Sequence, residues 1–94
     1  MQADYSVIGF FIYTMYTVYV LFSEKYDKIY IGYTSDLPQR FLSHNELSKK
    51  GWTVKFRPWK IIHTEILETK AEAMRREKLL KGAKGRKWIR ENLL

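Results

Sequence analysis

Two short runs dense in β-branched and aromatic residues, Thr17–Phe22 (TVYVLF) and Ile29–Tyr33 (IYIGY), stand six polar residues apart. Such side chains lose rotamer freedom in a helix but pack well on a pleated surface. The intervening SEKYDK is turn-like, so the pair predicts an antiparallel hairpin. Ser35-Asp36-Leu37-Pro38 follows at once. It predicts a helix from Asp36 to about Asn45, with Ser35 or Asp36 as the cap and the proline in the first turn. Residues 46–58 contain Gly51, Pro58 and four Lys/Arg and read as a loop with at most a short extended piece. Trp59–Ile66 is a third strand. Thr69 and Glu72 form a capping box, each satisfying an orphan backbone N–H, and the helix they open runs to about Lys81. Gly82 and Gly85 are expected to break it before a last short helix, Arg86–Leu93. The order β-β-α-β-α-α predicts an α+β domain: a small three-stranded antiparallel sheet flanked by helices.

The chain is 94 residues long, enough for one domain and one core. The domain is expected over residues 15–94, with residues 1–14 an N-terminal extension of unassigned role. Val7–Phe22 is a sixteen-residue, mostly apolar stretch. It falls short of the roughly 20 residues that cross a bilayer. No Lys or Arg precedes it and no small-residue cleavage site follows, so neither a membrane span nor a signal peptide is expected. The absence of Cys excludes disulfides, thiolate metal sites and cysteine nucleophiles, and is compatible with a cytoplasmic location. Two His are too few for a multi-histidine zinc site.

Charge is distributed unevenly. The net charge is +7, yet residues 1–48 carry three Lys/Arg against five Asp/Glu, while residues 49–94 carry fourteen against five. A one-sided positive field attracts polyanions, nucleic acid first and an anionic membrane surface second. Lys49, Lys50, Lys55, Arg57, Lys60, Arg76, Lys81 and Lys84 are the expected DNA contacts. Trp52, Phe56 and Trp59 are interleaved with several of them, a pattern that suits a nucleic-acid strand, although at least one of these rings belongs in the core.

Five further residues do not fit a packing role alone. Glu77 follows Ala73 and Met74 at helical spacing and precedes Leu80, so a carboxylate falls in the apolar stripe and needs a cation, a metal or water. The alternative is a place at the stripe's edge, paired with Lys81. Arg40 and His44 share a helix face, as a guanidinium suited to phosphate beside a titratable imidazole, or as ordinary surface groups. Tyr19 and Tyr30 are expected to face each other across the hairpin on one side of the sheet, for chemistry or for cross-strand packing. Gly32 leaves that strand open to close approach.

Together these residues resemble the GIY-YIG endonuclease superfamily. The first motif is Thr17-Val18-Tyr19, with Thr in place of Gly, and the second is Tyr30-Ile31-Gly32. Arg40, His44-Asn45, Glu65 and Glu72 to Lys78 follow in the family's order. Lys81-Gly82 through Lys87-Trp88-Ile89 resembles the tail of small stand-alone bacterial members. The resemblance, which extends to the N-terminal nuclease domain of excinuclease-type members, runs from about Tyr16 to Ile89. Those excinuclease-type members carry a Lys shortly after the second motif, where this chain has Tyr33.

The resemblance implies Tyr19, Tyr30, Arg40, His44 and Glu77 as catalytic residues, with Glu77 as the metal ligand. A single acid favours one Mg²⁺ or Mn²⁺ over a two-metal centre. No small-molecule cofactor is expected. The resemblance favours Tyr30 as the group that orients or deprotonates water; the residues themselves equally allow His44. The expected function is metal-dependent hydrolysis of DNA phosphodiesters. The rivals are a non-catalytic nucleic-acid-binding module and a membrane-surface protein. A pure binder has no need of an acid facing a phosphate.

Overall fold

The computed structural model describes residues 15–94. The expected extension, residues 1–14, lies outside them. Strands β1 (Tyr16–Ser23), β2 (Lys28–Thr34) and β3 (Lys60–Leu67) form one antiparallel sheet in the order β2-β1-β3. Between β2 and β3 the chain makes helix α1 (Leu37–Leu42), a π-helical turn (Ser43–Leu47) and a 3-10 turn (Trp52–Phe56). Helices α2 (Lys70–Lys81) and α3 (Ala83–Asn92) follow β3. The fold is α+β with the expected element order.

β1 is hydrogen-bonded on both sides and covered on both faces, so Val18, Tyr19, Val20 and Leu21 are all at most 1% exposed. Its pleat sorts them. Val18 and Val20 join Ile29 and Ile31 of β2 under Ala73 and Leu80 of α2 and Ile89 of α3. Tyr19 and Leu21 point the other way, onto Trp59, Leu37, Phe41 and Phe56. Each buried aliphatic side chain contributes roughly 1.5–3 kcal/mol. The sheet is thus sandwiched between the α2–α3 pair and the α1 segment, and β2, at one edge, borders both.

The helix starts follow the expected chemistry. Asp36 accepts the Gln39 backbone N–H at 3.2 Å, and Pro38 lies in the first turn of α1. Thr69 and Glu72 form both bonds of the capping box.

Three local expectations are corrected. Residues 52–56 are a 3-10 turn instead of a loop with an extended piece. Gly51 enters it at φ +114°, a left-handed conformation that favours glycine, and Trp59 Nε1–H donates to the Thr53 carbonyl at 2.8 Å. Gly85 lies inside α3 and does not break it; only Gly82, in extended backbone, separates the two helices. A Cβ on Gly85 would lie 2.5 Å from Leu80 Cα, so glycine is there to let α3 turn tightly against α2. Finally, Tyr19 pairs with Gly32, and Tyr30 with Leu21. The two tyrosines share a face as expected, but they meet diagonally. Among the described residues no helix is long and apolar enough to cross a membrane.

Candidate active site

An open cavity of about 490 Å³ lies against the β2 edge, lined by Tyr19, Tyr30, Gly32, Arg40, Lys70 and Glu77 among others. Four different elements supply these groups. Tyr19 comes from β1, Tyr30 and Gly32 from β2, Arg40 from α1, and Lys70 and Glu77 from α2. The missing side chain at Gly32 makes the arrangement possible, because a Cβ there would lie 2.6 Å from Tyr19 Oη and 2.7 Å from its Cζ. The two phenol rings sit 6.2 Å apart, centroid to centroid.

Tyr19 is buried, and its hydroxyl lies 2.9 Å from His44 Nε2. Burial, reinforced by the neighbouring Tyr30, pushes its pKa up to about 12 against the partial offset of Arg40. The phenol therefore holds its proton at neutral pH. His44 is also buried, and burial, together with the positive charges of Arg40 and Arg57, moves its pKa below the ordinary imidazole value. Its Nδ1 lies 3.1 Å from Thr53 Oγ1. A neutral imidazole has one N–H, so it links the phenol and the threonine hydroxyl in either of two tautomers. His44 thus stands behind Tyr19 and is not a surface histidine.

Glu77 lies one turn beyond Ala73 and one turn before Leu80, both buried, and its side chain is 21% exposed. The apolar stripe does contain a carboxylate, while Met74 lies outside the buried face at 48% exposed. Glu77 also forms the i,i+4 pair with Lys81, at 3.5 Å. The pair and the cavity position coexist: the carboxylate borders the cavity with an ammonium at its side.

The residues expected to bind DNA fall into two groups. Lys49, Lys50, Lys55, Lys60, Lys81 and Lys84 are exposed; Lys60 pairs with Glu24 at 2.9 Å. Arg57 and Arg76, also expected as DNA contacts, are half-buried and hydrogen-bonded within the protein. Arg57 donates to the carbonyls of His44 (2.6 Å), Ser48 (2.7 Å) and Ser43 (3.1 Å), tying the π-helical turn that carries His44. Arg76 donates to both oxygens of Glu65, at 2.7 and 2.9 Å. That fork, with desolvation opposing it and His63 at 2.8 Å assisting, holds the Glu65 carboxyl below the usual range. Asn45 clasps the Trp59 backbone through both its amide nitrogen and its oxygen, at 3.0 and 2.6 Å. Lys70 and Thr53 were not anticipated in the site. Lys70 follows the capping residue and reads as an ordinary helix start. Thr53 lies in a segment with no periodicity.

The family model for the GIY-YIG catalytic domain matches residues 15–91. The chain is 43% identical over 51 residues to the UPF0213 protein of Bacillus velezensis, covering 54% of this chain and 52% of that protein. It is 40% identical over 52 residues to the UPF0213 protein of Halobacterium salinarum, covering 55% and 68%. Thus the match spans only about half the length of the Bacillus velezensis relative. The solution NMR structure of a UPF0213 protein from Bacillus halodurans superposes with a TM-score of 0.50 at 25% identity, covering 82% of this chain and 83% of that one. With its tyrosines, arginine and acid gathered at one cavity and the family model matched over nearly all the described residues, this chain belongs to the GIY-YIG family.

Proposed function

We propose that this chain is an endonuclease that hydrolyses DNA phosphodiester bonds with the help of one divalent metal ion. The reading rests on the convergence of Tyr19, Tyr30, Arg40 and Glu77 on one open cavity. Hydrolysis needs a positioned water, stabilisation of charge on the phosphoryl oxygens, and support for the leaving alkoxide.

The residues fit a single metal. No group of three or more His, Cys, Asp or Glu gathers among the described residues. Mg²⁺ or Mn²⁺ needs only one protein carboxylate when it keeps its waters and takes a phosphate oxygen. Glu77 would hold it. When bound, such an ion supplies Lewis-acid stabilisation of the phosphoryl oxygens and lowers the pKa of water.

The protein's own groups divide the remaining work. Arg40, exposed at the cavity, holds the non-bridging oxygens with its planar fork as their charge builds. Tyr30 orients or deprotonates the attacking water. Tyr19, which keeps its proton at neutral pH, positions water or phosphate by hydrogen bonding. His44 does not line this cavity; its Nε2 faces the Tyr19 hydroxyl, which gives a proton from water a route to the imidazole. Lys70 adds positive charge at the same wall.

The test is incubation with a panel of linear, nicked and branched DNAs in Mg²⁺, with EDTA as control. Cleavage confined to the metal-containing samples is expected. Binding in EDTA should weaken with salt at a log–log slope near −3 to −4, as expected for about four cations neutralising phosphates. Binding without cleavage on every DNA would favour the non-catalytic reading.

A further inference from the structure

The aromatic cluster beside the site contains a large ring, Trp52, that packing does not absorb. Trp59 is 3% exposed, but Trp52 is 46% exposed. Its indole is nevertheless held in place from beneath. Phe56 lies 4.7 Å away, Trp59 5.8 Å, and Tyr30 6.4 Å with its plane within 28° of the indole. Gly51, at φ +114°, delivers Trp52 to this position. Trp52 also lines two hollows that both reach Tyr30. One, of about 290 Å³, has Arg40 and Lys50 on its wall. The other, of about 370 Å³, has Lys81 and Arg86.

Given the nuclease reading above, we infer that Trp52 is a stacking platform for an unpaired nucleobase next to the reacting phosphate. The chain therefore selects DNA with a single-stranded arm over continuous duplex. A stacked nucleotide carries a phosphate on either side, and each of the two hollows bordered by the indole has two cations on its wall. Within a continuous duplex both faces of every base are covered by its neighbours, so only an unpaired base can present a face to the indole. The ring is fixed before binding, so little side-chain freedom is lost when a base docks. Its parallel neighbour Tyr30 lines the catalytic cavity as well, which sets the stacked base beside the bond to be cut.

The experiment measures affinity in EDTA for a duplex and for the same duplex bearing a single-stranded arm, using wild type, Trp52→Leu and Trp52→Phe, with thermal melts of each. Wild type should bind the armed DNA roughly tenfold more tightly, as one base stack supplies. Trp52→Leu should lose that margin and leave duplex affinity unchanged, and Trp52→Phe should retain most of it. A second measurement needs only the wild-type chain: 2-aminopurine at the base of the arm should lose fluorescence as it stacks on the indole. Equal wild-type affinity for the two DNAs, equal loss on both in Trp52→Leu, or unchanged 2-aminopurine emission on binding overturns the inference. Metal-dependent cleavage without arm preference removes the stacking role alone. Failure to bind or cut any DNA removes the nuclease reading as well.

Discussion

Gly32 lies directly across the β1–β2 ladder from Tyr19, and a single added methyl group would lie 2.6 Å from the Tyr19 hydroxyl. The glycine thus defines where the phenol can be. Gly32→Ala should push the Tyr19 ring off its bond to His44 and shift the cavity wall. We expect a stability loss of about 1–3 kcal/mol, typical of overpacking, and a larger proportional loss of cleavage. Denaturant melts and a cleavage assay check this; wild-type values in both would show that the contact relaxes without consequence.

His44 makes a pH prediction whose sign follows from its burial. Its folded pKa lies below 6.5, chiefly through desolvation and then through Arg40 and Arg57. Below about pH 6.5 the unfolded chain therefore binds a proton that the folded chain resists. Stability should be fullest above that pH and fall as the solution is acidified through this range. The Glu65 carboxyl, also lowered, adds a separate loss at more acidic pH, below its ordinary 4.5. His44→Gln should flatten the melting-temperature profile between pH 7 and 5 only. Identical slopes in variant and wild type would contradict the assignment.

Arg40→Lys separates charge from shape. Lysine keeps the cation but loses the two-pronged contact to phosphate oxygens. Cleavage should drop by about 10²–10³ with DNA affinity nearly unchanged, as for loss of one transition-state contact. Turnover and affinity measured on the same DNA decide it, and wild-type turnover would make Arg40 an ordinary surface charge.

Much of this was legible in the sequence because local rules carried it. β-branched runs around a polar turn predicted β1 and β2. The Thr69–Glu72 box marked the start of α2, and a carboxylate between Ala73 and Leu80 stood out against helical periodicity. The parts that escaped depend on contacts remote in sequence. Nothing local shows that Thr53 sits behind His44, nine residues away. Nor does anything local show that Arg57 and Arg76 hold the carbonyls of the π-helical turn and Glu65, because those partners come from other elements. The diagonal meeting of Tyr19 and Tyr30 depends on the hairpin register, which the turn sets, and polar turn residues alone do not fix it.

The most direct test of the account is Glu77→Gln, a change that keeps shape and removes charge. Three quantities are read on one preparation: melting temperature without metal, DNA affinity in EDTA, and cleavage in Mg²⁺. If Glu77 holds the metal, melting should stay the same or rise, because a carboxylate on a largely apolar face is no longer there to be desolvated. DNA affinity should persist or tighten as a negative charge leaves the surface, and cleavage should vanish. If Glu77 serves only its pair with Lys81, stability should change by a few tenths of a kcal/mol, as for an ordinary i,i+4 pair. Intact Mg²⁺-dependent cleavage by folded Glu77→Gln would contradict the metal assignment.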